Sequence, residues 1–597
     1  MEDFATYIRK AYLFSLMDES FRVVRGTPLL PENQVNHMDV RTPRNSFVQI
    51  NMAMSFPENA IIQLDQRIAF GYRNDPSRFM IVRAALEVEG MEGKLHLIDT
   101  LMDDDGRQRG DVVLEQPFME AVPYQVNQVT ALIPVPRDLT PGTYKGRVRF
   151  YAHSMFYDET LARELTFTIQ VEDTVLPDAR DGKFYLNLWQ HVFNIARKHE
   201  VRPFTDEHLE ALRPYAKALG DLGNKAITVL LSDIPWAGQR CWTELNNPSD
   251  LFEYNYVQIR RKADGAFTYD FSFAEKYIAL MKEYGATDVM FTGLYGIWED
   301  AKIGFGVIVN NWADAIRVSY LDEKDGCIRF MREREEIEDY LRAIYKWIVE
   351  SNLLSTSYLM GDEVDLPGKT EGWTAVLETL KELLPDIRRD WDMLPHVLMS
   401  DTYKDERVDI YTPQIDGIPT EEPEVWQAAM DRVAKDGKKL WSVCCWPPVM
   451  NSFLYCNLNE VRLHGLITEH IKMDGFLRWN FTVWPDDPRR DVRFFAPGWP
   501  AGDTCFVYPG KGGQCLPSLR YLALRRGIED FELCQMVKEK CENADEIINK
   551  AMACVLPETD VRKWDFADYH GRTKYMSHEN SDYVNARNIL LDALREV

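Results

Sequence analysis

Two adjacent carboxylates, Asp362 and Glu363, directly follow a short apolar segment that ends at Gly361. The segment before them has the composition of a buried strand, and glycine permits a sharp turn where such a strand ends. Upstream, apolar residues at spacings of four, three and four predict one face of a helix: Ile337, Leu341, Ile344 and Ile348. In a (β/α)8 barrel, catalytic residues lie just beyond the C-terminal ends of the strands. The pair is therefore a candidate for acid–base chemistry, although most adjacent acidic pairs are simply solvated.

Other familiar catalytic motifs are missing from the sequence. It contains no HExxH, no paired CxxC, no Walker loop and no GxSxG. His191 and His199 do not form a metal site by themselves, and we expect neither a metal nor another cofactor. Carboxylate chemistry is what remains.

The Asp362–Glu363 pair suits an unusual division of labour. A conventional retaining glycosidase holds two carboxyl groups about 5–5.5 Å apart across the bond that it cleaves. Successive side chains diverge on an extended backbone, so neighbouring residues do not easily form such a facing pair. Glu363 can instead protonate a glycosidic oxygen, while Asp362 holds the N–H of a substrate 2-acetamido group. The acetamido carbonyl would then attack the anomeric carbon, which is the substrate-assisted exception to the two-carboxylate scheme.

The elements that must position this pair alternate between strands and helices. Eight strands are predicted, separated by helical patterns, at 184–189, 226–231, 288–292, 357–361, 396–400, 408–411, 439–444 and 476–481. This alternation predicts a (β/α)8 barrel over residues 183–515. A mainly helical segment follows at 516–597.

The first part of the chain follows a different period. Apolar residues alternate with polar ones at 48–54 and again at 165–171, which predicts strands with one buried face. Many short strands separated by turn signals indicate a β-sandwich over residues 1–175. The predicted fold is therefore α/β, with an N-terminal β-sandwich, a TIM-type barrel and C-terminal helices.

Net charge and hydropathy limit the classes of partner that we expect for this chain. The chain has 597 residues and a formal net charge of −25, so we expect several domains and no nucleic-acid partner. No segment has the length and hydropathy of a membrane-spanning helix, and we expect no membrane partner. The first residues lack the basic-then-apolar order of a signal peptide, which predicts a cytoplasmic location.

Several sequence blocks are distinctive. They read Leu-Arg-Trp at 477–479, Trp-Pro-Ala-Gly-Asp-Thr at 499–504, Val-Tyr-Pro at 507–509 and Arg-Gly-Ile-Glu-Asp-Phe-Glu at 526–532, with Trp484 and Arg520 between them. Together with the Asp362–Glu363 pair and the Pro-Gly-Thr-Tyr-Lys-Gly block at 141–146, they resemble glycoside hydrolase family 123. This resemblance covers most of the chain.

The resemblance implies a retaining, exo-acting β-N-acetylgalactosaminidase that works through an oxazoline intermediate. It implies that Glu363 is the acid/base and that Asp362 orients the acetamido group. The expected partner is a glycan or oligosaccharide whose sugar is N-acetylgalactosamine or a related N-acetylhexosamine. The expected sugar contacts are aromatic residues near predicted strand ends, namely Trp479, Trp484, Tyr295, Trp446 and Trp189.

Two alternatives to this function remain open. One is a two-carboxylate β-glycosidase acting on sugars without an acetamido group, with Asp401 as the nucleophile. The other is a carbohydrate-binding protein without catalytic activity.

Overall fold

The computed structural model describes residues 3–64, 80–154, 156–233, 253–294, 317–361, 370–392, 407–420, 422–493 and 499–596. Four residues singled out from the sequence, Tyr295, Asp362, Glu363 and Asp401, lie outside the described residues, as does the predicted strand at 396–400.

Two β-sheets form the N-terminal part. A helix, α1 (Phe4–Ala11), precedes strands β1 (Leu13–Met17), β2 (His37–Arg44), β3 (Ser46–Ser55), β4 (Ala60–Gln63), β5 (Met80–Val88), β6 (Lys94–Met102), β7 (Gln108–Val113), β8 (Phe118–Ala121), β9 (Asn127–Val135), β10 (Gly142–Ser154) and β11 (Tyr157–Val175). One sheet has the order β1-β3-β9-β6-β7 and the other the order β2-β11-β10-β5-β4-β8. The predicted alternating segments lie in β3 and β11, and their apolar residues are buried in the core. The sandwich-like prediction is confirmed.

The strands of the second part follow in order along the chain. They are β12 (Tyr185–Leu188), β13 (Ala226–Leu230), β14 (Gln258–Arg261), β15 (Phe267–Asp270), β16 (Asp288–Thr292), β17 (Ser319–Asp322), β18 (Cys327–Phe330), β19 (Ser357–Gly361), β20 (Arg388–Asp392), β21 (Val408–Thr412), β22 (Val433–Ser442), β23 (Gly475–Arg478), β24 (Val507–Pro509) and β25 (Cys515–Pro517).

Eight of these strands form a parallel barrel in the order β12-β23-β22-β21-β20-β19-β16-β13. A parallel bridge between Leu186 and Asn224 brings the two ends of this sheet together. The barrel interior is apolar and tightly buried, as in β13 and β19, where every residue is buried. Because all eight strands are parallel, their C-terminal ends meet at one edge, where β19 leads directly into Asp362 along the chain. The predicted barrel is confirmed.

The remaining strands form two small sheets. A four-stranded sheet with the order β15-β14-β17-β18 lies between barrel elements in sequence, and β24 pairs with β25 as an antiparallel hairpin.

The helices that follow α1 are α2 (Val192–Lys198), α3 (Asp206–Asp221), α4 (Ser272–Glu283), α5 (Arg334–Glu350), α6 (Thr370–Leu383), α7 (Pro423–Met430), α8 (Leu458–His470), α9 (Leu519–Lys540), α10 (Ala544–Val555) and α11 (Asn580–Arg595). The predicted apolar face of α5 is buried, and helix α5 leads into β19 through a short turn. Within the described parts of the chain, no helix combines the length and the hydropathy needed to cross a bilayer.

The fifth barrel strand differs from the prediction. The structure places it at Arg388–Asp392, upstream of the segment at 396–400 that the sequence favoured. Its sequence, Arg-Arg-Asp-Trp-Asp, looks like a solvated loop. Tertiary contacts stabilise it as a strand, since it pairs with β19 and β21 and Arg388 lies 4.0 Å from the centre of the Tyr358 ring on β19.

Buried polar contacts join the N-terminal sheets to the β24–β25 hairpin and to helix α9. Asp111 on β7 is fully buried and accepts hydrogen bonds from Arg520 at 3.0 Å and from the Tyr508 hydroxyl at 2.6 Å. Arg22 donates to the same carboxylate at 3.0 Å. Burial alone would raise the pKa of Asp111, but the two arginines outweigh it and hold the pKa below its usual value. The carboxylate is therefore ionised where the two parts of the chain meet.

Candidate active site

Three of the predicted site residues that the structure describes follow strands at the C-terminal edge of the barrel. Trp189 follows β12, Trp446 follows β22 and Trp479 follows β23. These three strands are neighbours in the sheet, with Leu188 paired to Arg478 and Ser442 paired to Leu477. The candidate acids Asp362 and Glu363 follow β19 in the chain, outside the described residues.

Trp479 lies in an aromatic pocket at this edge and is 8% exposed. Its ring centre is 5.0 Å from that of Trp499 and 6.5 Å from that of His191, both in edge-to-face geometry. Burial lowers the pKa of His191 to about 3, so the imidazole is neutral at physiological pH. The pocket therefore has aromatic walls and no cation at the His191 position.

Among the predicted aromatic residues that the structure describes, Trp446 is the exposed one, with half of its surface accessible. It lies in the segment 443–447 that leaves β22, which we call the β22 loop. Burial raises the pKa of the nearby Asp416, and Trp446 opposes this effect. An exposed indole at a barrel edge is suited to stack on a sugar ring.

Trp189 and Trp484 are buried. Trp189 is 2% exposed, and Trp484 has no exposed surface. The Trp484 indole donates to the Val507 carbonyl at 2.8 Å, and its ring centre is 5.8 Å from that of Tyr215. The contacts of Trp484 are those of a core residue, and a sugar-binding role for it stays a prediction.

A buried polar network behind the aromatic residues was not identified as functional from the sequence. Arg478, the last residue of β23, and Asp503 are both fully buried and form an ion pair at 2.5 Å. Burial raises the pKa of Asp503 to about 6, while Arg478 and the Trp479 indole oppose this effect. Both residues belong to sequence blocks noted above, so the motif was visible, but a fully buried arginine is not expected from pattern alone.

Two asparagines add polar groups at the same strand ends. Asn187 on β12 is fully buried, and neither polar atom of its side chain has a hydrogen-bond partner within the described residues. Asn480, which follows Trp479, accepts from the Val483 N–H at 3.1 Å, while its amide nitrogen has no partner within the described residues. Buried polar groups in this state are suited to bind water or a polar ligand.

The described residues contain no group of three or more His, Cys, Asp or Glu side chains arranged to hold a metal ion. The expectation that no cofactor is needed stays a prediction.

Comparisons with known proteins identify the same region. The family model of the glycoside hydrolase 123 catalytic domain matches residues 189–537. A family 123 glycoside hydrolase from Clostridium perfringens, solved in a study of glycolipid glycan hydrolysis, is 14% identical, with a TM-score of 0.72 and 98% of each chain covered. A β-glucuronidase from Bacteroides uniformis is 10% identical over 89% of this chain and 50% of its own, but its TM-score of 0.27 is too low to carry an argument. A search of curated protein sequences found no match.

Proposed function

Because this chain belongs to glycoside hydrolase family 123, we propose that it removes terminal β-linked N-acetylgalactosamine, or a related N-acetylhexosamine, with retention of configuration. The observation that carries this proposal is strand β19, which ends at the C-terminal edge of the barrel and is followed directly by Asp362 and Glu363. No second carboxylate is needed across the scissile bond if the substrate supplies the nucleophile.

The proposed mechanism divides the chemistry between two residues. Glu363 donates a proton to the departing glycosidic oxygen. Asp362 accepts the acetamido N–H and stabilises the positive charge that grows as the carbonyl oxygen closes the oxazoline ring. Glu363 then acts as a base toward the water that opens this ring, which restores the β configuration.

The surroundings of the barrel edge fit a sugar better than a charged ligand. Trp479 and Trp446 offer aromatic surface beside buried amide groups, which is the usual composition of a carbohydrate site. The glycans of glycolipids are a reasonable substrate class to test, because the hydrolase from Clostridium perfringens was studied on such glycans.

A panel of chromogenic β-glycosides, matched with and without the 2-acetamido group, tests the proposal. We expect turnover only of the acetamido members, retention seen by NMR of the first-formed product, and inhibition by a thiazoline that mimics the oxazoline ring. Turnover of non-acetamido glycosides without thiazoline inhibition would support the two-carboxylate alternative. Binding without any turnover would support a carbohydrate-binding protein.

A further inference from the structure

Two fully buried side chains, those of Asn451 and Arg478, donate hydrogen bonds to backbone carbonyls of the β22 loop. Asn451 donates to the Cys444 carbonyl at 2.8 Å and to the Pro447 carbonyl at 2.7 Å. It is therefore hydrogen-bonded to the loop backbone on both sides of Trp446. Arg478 donates to the Val443 carbonyl at 3.3 Å and to the Asn451 side-chain oxygen at 2.8 Å. The backbone that presents Trp446 therefore depends on side chains from outside the loop.

Asp503 completes this arrangement. Its carboxylate pairs with Arg478 at 2.5 Å, and its backbone carbonyl accepts a second hydrogen bond from the same guanidinium at 3.1 Å. Arg478 directly precedes Trp479 in the chain. One side chain thus connects the segment that carries Trp446 with the strand end that carries Trp479.

Burying the Arg478–Asp503 pair reduces the stability of the fold unless hydrogen bonds and mutual attraction offset the loss of hydration. A fold that needed only stability could place an apolar side chain at position 478. Arg478, Asn451 and Asp503 together fix the backbone on both sides of Trp446 and the strand end before Trp479. The position of that backbone decides where the two indoles lie and so where a sugar can stack.

We propose that Arg478, Asn451 and Asp503 are positioning residues for substrate binding, which set Trp446 and Trp479 as the aromatic walls of the sugar site. This inference rests on the proposed function, because it assumes that these two indoles contact the glycan. None of the three residues needs to touch the substrate.

The test compares Arg478→Lys with Arg462→Lys. Lysine keeps the charge but cannot reach the Asp503, Asn451 and Val443 acceptors together. Arg462 is a matched control, because it is 4% exposed and pairs with the buried Asp530 at 2.7 Å between α8 and α9. We expect Arg478→Lys to raise KM roughly tenfold with a smaller change in kcat, as loss of positioned binding contacts predicts. Arg462→Lys should lower the thermal midpoint without changing KM.

A second readout does not depend on activity. In protein labelled with 5-fluorotryptophan, the Trp446 resonance is assigned by its loss in Trp446→Phe. We expect this resonance to shift or broaden in Arg478→Lys and to stay in place in Arg462→Lys.

Asn451→Ala provides a second variant if Arg478→Lys folds poorly, because it removes both donations to the loop and leaves the Arg478–Asp503 pair in place. An unshifted Trp446 resonance in the folded variants, or an unchanged KM, would overturn the positioning role. If the wild type hydrolyses no acetamido glycoside, the proposed function fails, while the fluorine spectra still decide whether the network holds Trp446.

Discussion

At the scale of single residues, the chemistry depends on how charge is placed near the barrel edge. Asp362 and Glu363 supply the proposed catalytic groups. At the C-terminal edge of the barrel, the structure describes aromatic side chains, amide groups and the neutral imidazole of His191. The Arg478 charge is paired with Asp503. In the proposed mechanism, Asp362 stabilises the positive charge that develops on the substrate.

Replacing Asp362 by Asn should reduce activity on 2-acetamido sugars. Asparagine still accepts a hydrogen bond but carries no charge, and the lost stabilisation belongs to the transition state, so the effect should fall on kcat. A decrease of about 10²-fold or more is expected from the size of such electrostatic contributions. Kinetics on one good substrate provide the measurement.

The comparison variant Glu363→Gln should lose activity by roughly 10²–10⁴-fold, mainly on substrates with poor leaving groups. A glycosyl ester trapped on any carboxylate would contradict the mechanism.

Asp503 should make stability depend on pH. Its pKa of about 6 in the folded protein lies above the ordinary value of 3.8. Between these values the folded protein keeps a proton that the unfolded chain has released, so the free energy of unfolding falls as pH rises through this window and levels off above it. The effect should be on the order of 1–3 kcal/mol.

Asp503→Asn removes this titrating group. The thermal midpoints of wild type and Asp503→Asn, measured from pH 4.5 to 7, should therefore show a smaller loss on going to pH 7 in the variant. Parallel curves for the two proteins would refute this origin of the pH dependence. Asp103, whose pKa burial also raises to about 6, is present in both proteins and cancels in the comparison.

At the scale of elements, local signals and tertiary contacts contribute differently. Thr205 begins α3 by accepting from the His208 N–H at 3.3 Å, with Asp206 and Glu207 in the first turn. These are local signals that the sequence displays. Strand β20, by contrast, is stabilised by its neighbours, because its charged residues favour a strand only when β19 and β21 flank them.

Thr205→Ala should destabilise α3 without affecting catalysis. Loss of an N-cap side chain costs about 1 kcal/mol. The helix packs on the outside of the barrel, so KM and kcat should not change. A thermal melt with Thr205→Ser as the control checks this, since serine keeps the capping oxygen. An equal loss in both variants would mean that the threonine methyl group, and not the cap, matters.

At the scale of the whole molecule, the N-terminal sheets share buried contacts with the rest of the chain, through Tyr508 in the barrel region and through arginines on α9. Besides the cluster around Asp111, Arg526 contacts Glu19 at 2.7 Å and the Phe47 carbonyl at 2.7 Å. The two parts are therefore not independent in stability. We propose that the regions 1–175, 183–515 and 516–597 are structural units of one enzyme, and that the first unit supports the barrel without hydrolysing glycans.

Asp111→Ala should destabilise the entire chain. The substitution leaves Arg22 and Arg520 buried without their shared partner, and breaking a buried pair in this way costs about 3–5 kcal/mol. Differential scanning calorimetry should show a lower midpoint for the barrel as well as for the sheets. The control is Glu283→Ala, whose exposed pair with Arg213 contributes little. A midpoint that changes only in one part would contradict the coupling.

The sequence by itself determined the architecture and the family, and it supplied the candidate site residues, which stay predictions. Periodicity depends on which face of an element is buried, so the alternation in β3 and β11 and the apolar face of α5 were visible locally. The barrel and the acidic pair after β19 followed from these patterns, and the distinctive blocks predicted the family.

Only the tertiary structure decided how the polar and aromatic residues are used. Sequence cannot distinguish the buried Trp484 from the half-exposed Trp446, because exposure depends on neighbours distant in the chain. It also could not show which partners Arg388 and Arg478 have, since an arginine is tolerated in a barrel only where specific partners satisfy it. The physical reason is that periodicity is a local property, whereas burial and pairing of charges are set by long-range contacts.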